Sequence, residues 1–131
     1  MAKVAGFEPD NARDALAQRL LAAAKRAQPR ATSFLQKLAN VETPSDEPAT
    51  QCAVLDMIMA AAEAAGMTCR RFNGRHSGGT LIARWPAPSG TPIQLLIGHC
   101  DTVWPVGTLE TMPLRLDGNL IAESLRDFLE L

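Results

Sequence analysis

The chain has 131 residues, of which 47% are apolar and 21% are charged, and its formal net charge is −1. This composition is typical of one small globular domain with a core of its own, and it excludes a disordered chain. Nucleic acid binding is not expected, because the chain has no basic excess and no Tyr among its few aromatic residues.

The N-terminal residues and the cysteines indicate a cytoplasmic protein. "MAKVAGFEPDNARDAL" contains no apolar core of signal-peptide length, and no apolar run approaches the roughly 20 residues that span a bilayer. Cys52, Cys69 and Cys100 are odd in number and widely spaced, so neither a CxxC zinc site nor a redox pair is indicated. We therefore expect a reduced, cytoplasmic protein without a membrane partner.

The first half of the chain is predicted to be helical. Residues 10–28 are rich in Ala and Leu, and their mostly small apolar side favours packing over membrane binding. Pro29 is expected to open a second helix, which ends before the loop "NVETPSDEP". A third helix is expected to stop at Gly66. Its apolar stripe consists of Val54, Leu55, Ile58, Met59 and Ala62.

After this helix the apolar pattern predicts strands. "MTCRRF" and "TLIARW" are expected to form a hairpin around the turn "NGRHSGG". "IQLLIGH", residues 93–99, is nearly continuous in apolar residues, which predicts a strand buried on both faces. "PLRLDGNLIAE" predicts two short strands joined around Gly118. Helices followed by hairpins and a buried strand argue for an α/β fold with helices on the sheet.

His99 and Asp101 lie where the predicted buried strand ends, the position at which functional groups gather in open α/β sheets. Gly98 is expected to allow a close approach of the backbone, and Cys100 is expected to face into the packing. A neutral imidazole is a common zinc ligand, and a nearby carboxylate can fix its tautomer. By spacing alone, a polar pair that satisfies a loop remains the commoner interpretation.

The wider string "LLIGHCDTVWPVGTL" resembles the His-x-Asp-Thr-Val signature of the zinc-dependent glutamate carboxypeptidase and aminoacylase family of two-zinc metallopeptidases. "FLQKLANVETPSDEPATQCAVLDMIMAAAEAAGM" is similar to that family's opening helix, Pro-Ser loop and following helix. "GTLIARWPAPSGTPIQLLIGHCDTV" is similar to its hairpin and metal strand, and "VGTLETMPLRLDGNLIA" to the segment that leads towards its second metal motif. The resemblance extends over residues 30–122.

This resemblance implies a three-layer α/β sandwich with helices packed on a mixed sheet, of which the chain would hold the N-terminal part. His99 matches a terminal ligand of one zinc ion in a two-zinc site, and Asp101 matches the catalytic carboxylate that orients this histidine. The implied reaction is hydrolysis of an amide bond in a peptide or N-acyl amino acid, which releases a C-terminal amino acid such as glutamate. A homodimer is implied for the complete protein.

The similarity stops where the family's next metal ligand is due. The tail "ESLRDFLEL" has no glycine, so no bridging role is assigned to Asp127 and no base role to Glu123 or Glu130. We expect an N-terminal helix at 1–28, the N-terminal part of the metallopeptidase domain at 29–122, and a divergent tail at 123–131. We also expect an interrupted, truncated peptidase that is inactive alone. The alternatives are an N-acyl-amino-acid deacylase of the same family and a non-catalytic remnant or interaction domain.

Three other residues have simpler interpretations. Ser45 lacks a Gly-x-Ser-x-Gly surrounding, so a turn or cap role is expected rather than a nucleophile. His76 lies in a glycine-flanked turn and is expected to be a solvated loop residue. Trp104 is expected to anchor the surface to the core beside the site.

Overall fold

The chain is a mixed α/β protein, as its sequence predicts. A computed structural model describes residues 11–117 and 120–123, and the chain divides into two compact units, Met1–Leu35 and Gln36–Leu131. None of the helices within these described ranges is long and apolar enough to cross a membrane. The elements are α1 (Asn11–Ala39), α2 (Gln51–Ala64), β1 (Thr68–Phe72), β2 (Thr80–Arg84), α3 (Thr108–Thr111), β3 (Leu114–Asp117) and β4 (Leu120–Glu123).

A single helix replaces the two helices that the sequence predicts around Pro29. α1 continues through this proline, although the missing N–H removes the bond to the carbonyl of Lys25 and costs about 3 kcal/mol. The surrounding Ala, Leu, Lys, Arg and Gln residues are strong helix formers, which explains why the helix does not end there. Within the first unit, the described side chains at 12–31 are exposed, so the packing expected of the alanine-rich side is not formed there.

α2 packs on the hairpin formed by β1 and β2. Val54 and Leu55 of its apolar stripe are 2% and 6% exposed and form the core of this layer. The helix is followed by Gly66 with a φ of 84°, a left-handed conformation that favours glycine. The structure therefore confirms the third predicted helix and its glycine stop, whereas Ile58, Met59 and Ala62 of the stripe are only half-buried.

The β1–β2 hairpin is confirmed by its antiparallel register, which runs from Thr68 opposite Arg84 to Phe72 opposite Thr80. Exposed and half-buried residues alternate along both strands, as expected for a sheet with one covered face. On that face, the Arg71 guanidinium forms an ion pair with Asp56 of α2. The hairpin and α2 thus form a two-layer unit, in which one helix covers one face of a two-stranded sheet.

The second hairpin is also confirmed. β3 and β4 pair antiparallel, with Leu114 opposite Glu123 and Asp117 opposite Leu120. Its turn at residues 118–119 lies outside the described residues, as does the tail from residue 124. Each of the two sheets is a two-stranded antiparallel hairpin, so the described strands do not form a mixed sheet.

The predicted buried strand at 93–99 is not formed, because residues 91–100 contain no strand. Backbone N–H and C=O groups at 92–98 make no hydrogen bond within the described part of the chain. A strand is stabilised by pairing with its neighbours, and both described hairpins pair internally. We call residues 93–97 the apolar segment. Its apolar side chains are highly exposed: Ile93 by 86%, Leu95 by 75%, Leu96 by 95% and Ile97 by 87%.

Candidate metal half-site

Two loops that are distant in sequence lie side by side next to the predicted site residues. An isolated parallel bridge joins Pro44 to Thr102. The N–H of Thr102 donates to the carbonyl of Thr43 at 2.8 Å, and the N–H of Ser45 donates to the carbonyl of Thr102 at 2.9 Å. These backbone bonds fix the position of the loop that carries the predicted site.

Side chains reinforce the same bridge. The hydroxyl of Thr43 donates to the carbonyl of Cys100 at 2.7 Å, and Thr43 and Pro44 are both fully buried. Hydrogen bonds that are shielded from water are costly to break, because the separated groups cannot be rehydrated in place. The chain is therefore held on both sides of Asp101.

The carboxylate of Asp101 lies between a serine hydroxyl and an imidazole. Ser45 Oγ donates to Oδ2 of Asp101 at 2.7 Å. His99 Nδ1 lies 3.3 Å from Oδ1 and 3.2 Å from the backbone carbonyl of Asp101. The Ser45 hydroxyl is the main cause that lowers the pKa of Asp101; its own backbone N–H and His99 add to this effect, and burial opposes it. Asp101 is consequently an anion at neutral pH, and its two oxygens have different partners.

His99 points its second ring nitrogen away from this carboxylate. The side chain is 85% exposed while its Nδ1 faces Asp101. When Nδ1–H donates to a carboxylate or carbonyl oxygen, Nε2 is left as an unprotonated electron-pair donor. The structure thus brings the His99 ring and the Asp101 carboxylate together, with Nδ1 close to both the carboxylate and the backbone carbonyl of Asp101.

The predictions for the two neighbouring residues, Gly98 and Cys100, have different outcomes. Gly98 is not needed for a close approach, since no described atom lies within 4 Å of the position that a Cβ would occupy. Cys100 is half-buried, as expected. Burial, reinforced by the charge of Asp101, raises the pKa of its thiol. The thiol is therefore protonated at neutral pH.

Glu42 holds the chain that follows the site. Its Oε2 accepts the N–H of Gly107 at 2.7 Å, and its Oε1 accepts the N–H of Leu109 at 2.8 Å. These bonds, chiefly the one from Gly107, lower the pKa of the Glu42 carboxyl. Gly107 has a φ of 94° where the chain turns into α3, a conformation that other residues rarely adopt. Glu42 has no signal in the sequence that marks this role, because its partners lie 65 and 67 positions away.

Trp104 lies beside the contacts that Glu42 makes with Gly107 and Leu109, and it does not cover a substrate pocket. It lines a small cavity together with Glu42, Thr102 and Leu109. The cavity volume is about 20 Å³, which is room for about one water molecule. The recess is therefore too small to hold a peptide, and the Trp104 side chain beside it is 41% exposed.

The described residues fall short of a complete metal site. No group of three or more His, Cys, Asp or Glu side chains that could hold a metal ion is found among them, whereas zinc takes roughly three or four protein ligands. His76 lies in the exposed loop between β1 and β2, as predicted. Asp127, Glu130 and the side chain of Glu123 lie outside the described residues.

Comparison with known proteins adds no relative. No protein-family model, no curated protein and no solved structure matches this chain.

Proposed function

We propose that this chain carries the first metal half-site of a zinc-dependent metallopeptidase of the glutamate carboxypeptidase type. The observation that supports it is the Asp101 carboxylate, held by Ser45 on one oxygen and facing the His99 ring with the other. In this proposal His99 is a zinc ligand through Nε2, and Asp101 is the catalytic carboxylate that orients the ring. The substrate is a peptide or an N-acyl amino acid.

The proposed domain is the N-terminal part of a three-layer α/β sandwich with a mixed sheet, in a cytoplasmic protein. Support comes from the order of α2, the β1–β2 hairpin and the apolar segment along the chain. In a larger sheet, the apolar segment would be a central strand, because its side chains suit a strand covered on both faces. Its backbone groups make no hydrogen bond within the described residues and would pair with neighbouring strands.

The chemistry of the complete site needs more ligands than these residues supply. When bound, zinc acts as a Lewis acid towards the scissile carbonyl and its bound water. One imidazole and one carboxylate do not make up the ligand set of that ion. The residues of this chain bind and orient: His99 Nδ1 lies 3.3 Å from Oδ1 of Asp101, and Ser45 Oγ donates to Oδ2. We therefore assign no hydrolytic step to the chain alone.

Zinc titration of the purified chain, followed by NMR of its two histidines, tests this proposal. We expect the His99 ring signals to respond first, and the His99→Ala variant to lose that response. The His76→Ala variant is the matched control and keeps zinc binding. We also expect no hydrolysis of N-acylglutamate or peptide substrates. Equal zinc affinity in the wild type and His99→Ala would refute the metal role, and turnover with two tightly bound zinc ions would refute the half-site.

A second candidate function is a non-catalytic interaction domain, and the exposure of the apolar segment favours it. An extended segment with unpaired backbone groups can add to the sheet edge of another polypeptide. Its exposed Ile and Leu side chains would supply the apolar contacts. The zinc titration separates the two candidates, since an interaction domain predicts no response centred on His99.

A further inference from the structure

We infer that Ser45 is a positioning residue of this site, whose hydroxyl fixes the Asp101 carboxylate in the rotamer that faces His99. The zinc part of this inference rests on the proposed function. The geometric part rests on the contacts between the two loops alone.

The hydroxyl of Ser45 has two acceptors within reach but a single proton. Its Oγ lies 2.7 Å from Oδ2 of Asp101 and 3.1 Å from the carbonyl of Thr102. The shorter bond goes to a charged carboxylate, and charge-assisted hydrogen bonds are roughly twice as strong as neutral ones. Ser45 therefore binds Asp101 first, and Oδ1 is the oxygen left for His99.

Asp101 needs this support because it lies near the surface. Its side chain is 40% exposed, and that of His99 is 85% exposed. An exposed aspartate exchanges between its staggered χ1 rotamers, because water can hydrate the carboxylate in each of them. Without the hydroxyl, the carboxylate would turn between solvent, His99 and its own backbone. The bond from Ser45 limits it to one orientation.

Ser45 itself is positioned independently of its hydroxyl. Its backbone N–H donates to the carbonyl of Thr102 at 2.9 Å. The preceding Pro44 is fully buried and forms the bridge to Thr102, and its ring fixes its φ angle. A Ser45→Ala change thus removes the side-chain bond while these backbone contacts remain. The loop should fold in this variant.

The same contacts argue against a nucleophilic serine. In a serine hydrolase the hydroxyl gives its proton to a histidine nitrogen. Here the Ser45 hydroxyl donates to Asp101, and His99 Nδ1 faces the other carboxylate oxygen. The hydroxyl orients the carboxylate instead of attacking a substrate.

NMR of the full chain tests the geometric part. Side-chain coupling constants of Asp101 should report one rotamer in the wild type and in Ser45→Thr, and averaged rotamers in Ser45→Ala. The Thr102 amide should remain protected from hydrogen exchange in all three. Ser89→Ala, a serine change at an exposed position after β2, is the control and should leave Asp101 unchanged. A single Asp101 rotamer in Ser45→Ala, or loss of Thr102 protection in that variant, would overturn the inference.

Zinc affinity of the same variants tests the functional part. We expect Ser45→Ala to bind zinc about tenfold more weakly than the wild type, the scale seen when outer contacts of a metal ligand are lost. Ser45→Thr should restore the affinity. Equal affinity in Ser45→Ala and wild type would overturn the inference while leaving the proposed function intact. If no variant binds zinc and the Asp101 rotamer still depends on Ser45, the proposed function fails and the positioning role stands.

Discussion

The side-chain amide of Gln51 is buried at the start of α2 and joins two loops. Its Nε2 donates to the carbonyl of Pro44 at 3.0 Å, and its Oε1 accepts the N–H of Gly78 at 2.7 Å. Both ends of the amide are used, so neither a carboxylate nor an apolar side chain can replace it. Gln51 therefore couples the loop beside the site to the loop of the β1–β2 hairpin.

We predict that Gln51→Ala destabilises the Gln36–Leu131 unit by about 1–3 kcal/mol, because the part-buried N–H of Gly78 and the buried carbonyl of Pro44 lose their partner. Urea unfolding followed by tryptophan fluorescence measures this, since Trp85 and Trp104 both lie in this unit. Gln18→Ala, at an exposed position on α1, should change the unfolding free energy by less than about 0.5 kcal/mol. Equal effects of the two substitutions would contradict the prediction.

At the residue scale, the sequence predicts contacts between near neighbours better than contacts between distant loops. His99 and Asp101 are two positions apart, so their spacing is enough to suggest the pair. Ser45 lies 56 positions from Asp101, and only the bridge between the two loops brings it to the carboxylate. The interpretation of Ser45 as a turn or cap residue was incomplete for this reason, because turn chemistry considers only adjacent residues.

At the element scale, α3 depends on a carboxylate from outside the helix. The helix has four residues, too few to be stable by itself. Glu42 accepts two of the N–H groups at its start. Because backbone N–H groups at a helix start otherwise lack partners, this contact satisfies them and attaches α3 to the loop that leads into the site.

We predict that α3 loosens in acid. Folding lowers the pKa of Glu42, so the stability that it contributes is complete above about pH 4.3, the ordinary glutamate pKa. This contribution is lost as the pH falls through the lower folded pKa. Hydrogen exchange of the Gly107 and Leu109 amides, measured against pH, should report this loss.

Two variants provide the controls for this prediction. Glu42→Gln should expose at least one of the Gly107 and Leu109 amides already at neutral pH, because the side-chain amide keeps one acceptor oxygen and places an NH2 donor where the other oxygen was. Glu47→Gln removes a carboxylate that does not bind the start of α3, and it should leave both amides protected. Unchanged protection in Glu42→Gln would show that other contacts hold α3.

Elements with local pairing were the ones that the sequence predicted well. α2 has a clear helical stripe, and each hairpin pairs strands separated by a short connection. The prediction of a buried strand at 93–99 was wrong, because an apolar run becomes a strand only when neighbouring strands supply its hydrogen bonds. The predicted boundary between two helices at Pro29 was also wrong, because strong helix formers on both sides of the proline outweigh its cost.

At the scale of the whole molecule, the apolar segment is an unusual surface among the described residues. Soluble proteins rarely expose contiguous apolar side chains without a partner, and an uncharged extended segment is a template for pairing with another chain. Its five residues carry no charge and include two Ile and two Leu. This surface should therefore govern how the purified chain behaves in solution.

We predict that the wild-type chain associates as its concentration rises and that Leu96→Lys reduces this association, because a charge opposes burial of the segment. Light scattering after size-exclusion chromatography measures the mass. Leu20→Lys, a change at another exposed leucine, is the control and should leave association unchanged. If both variants associate like the wild type, the segment is not the contact surface.

The bridge between Pro44 and Thr102 has a consequence for the order of folding. It joins loops whose contacts lie 57 positions apart in the chain, and closing such a loop costs entropy before any contact forms. α2 and the β1–β2 hairpin lie inside this loop and form from nearby residues, so they can shorten it first. The pairing of His99, Asp101 and Ser45 is thus expected to be a late event in folding and an early loss in local unfolding.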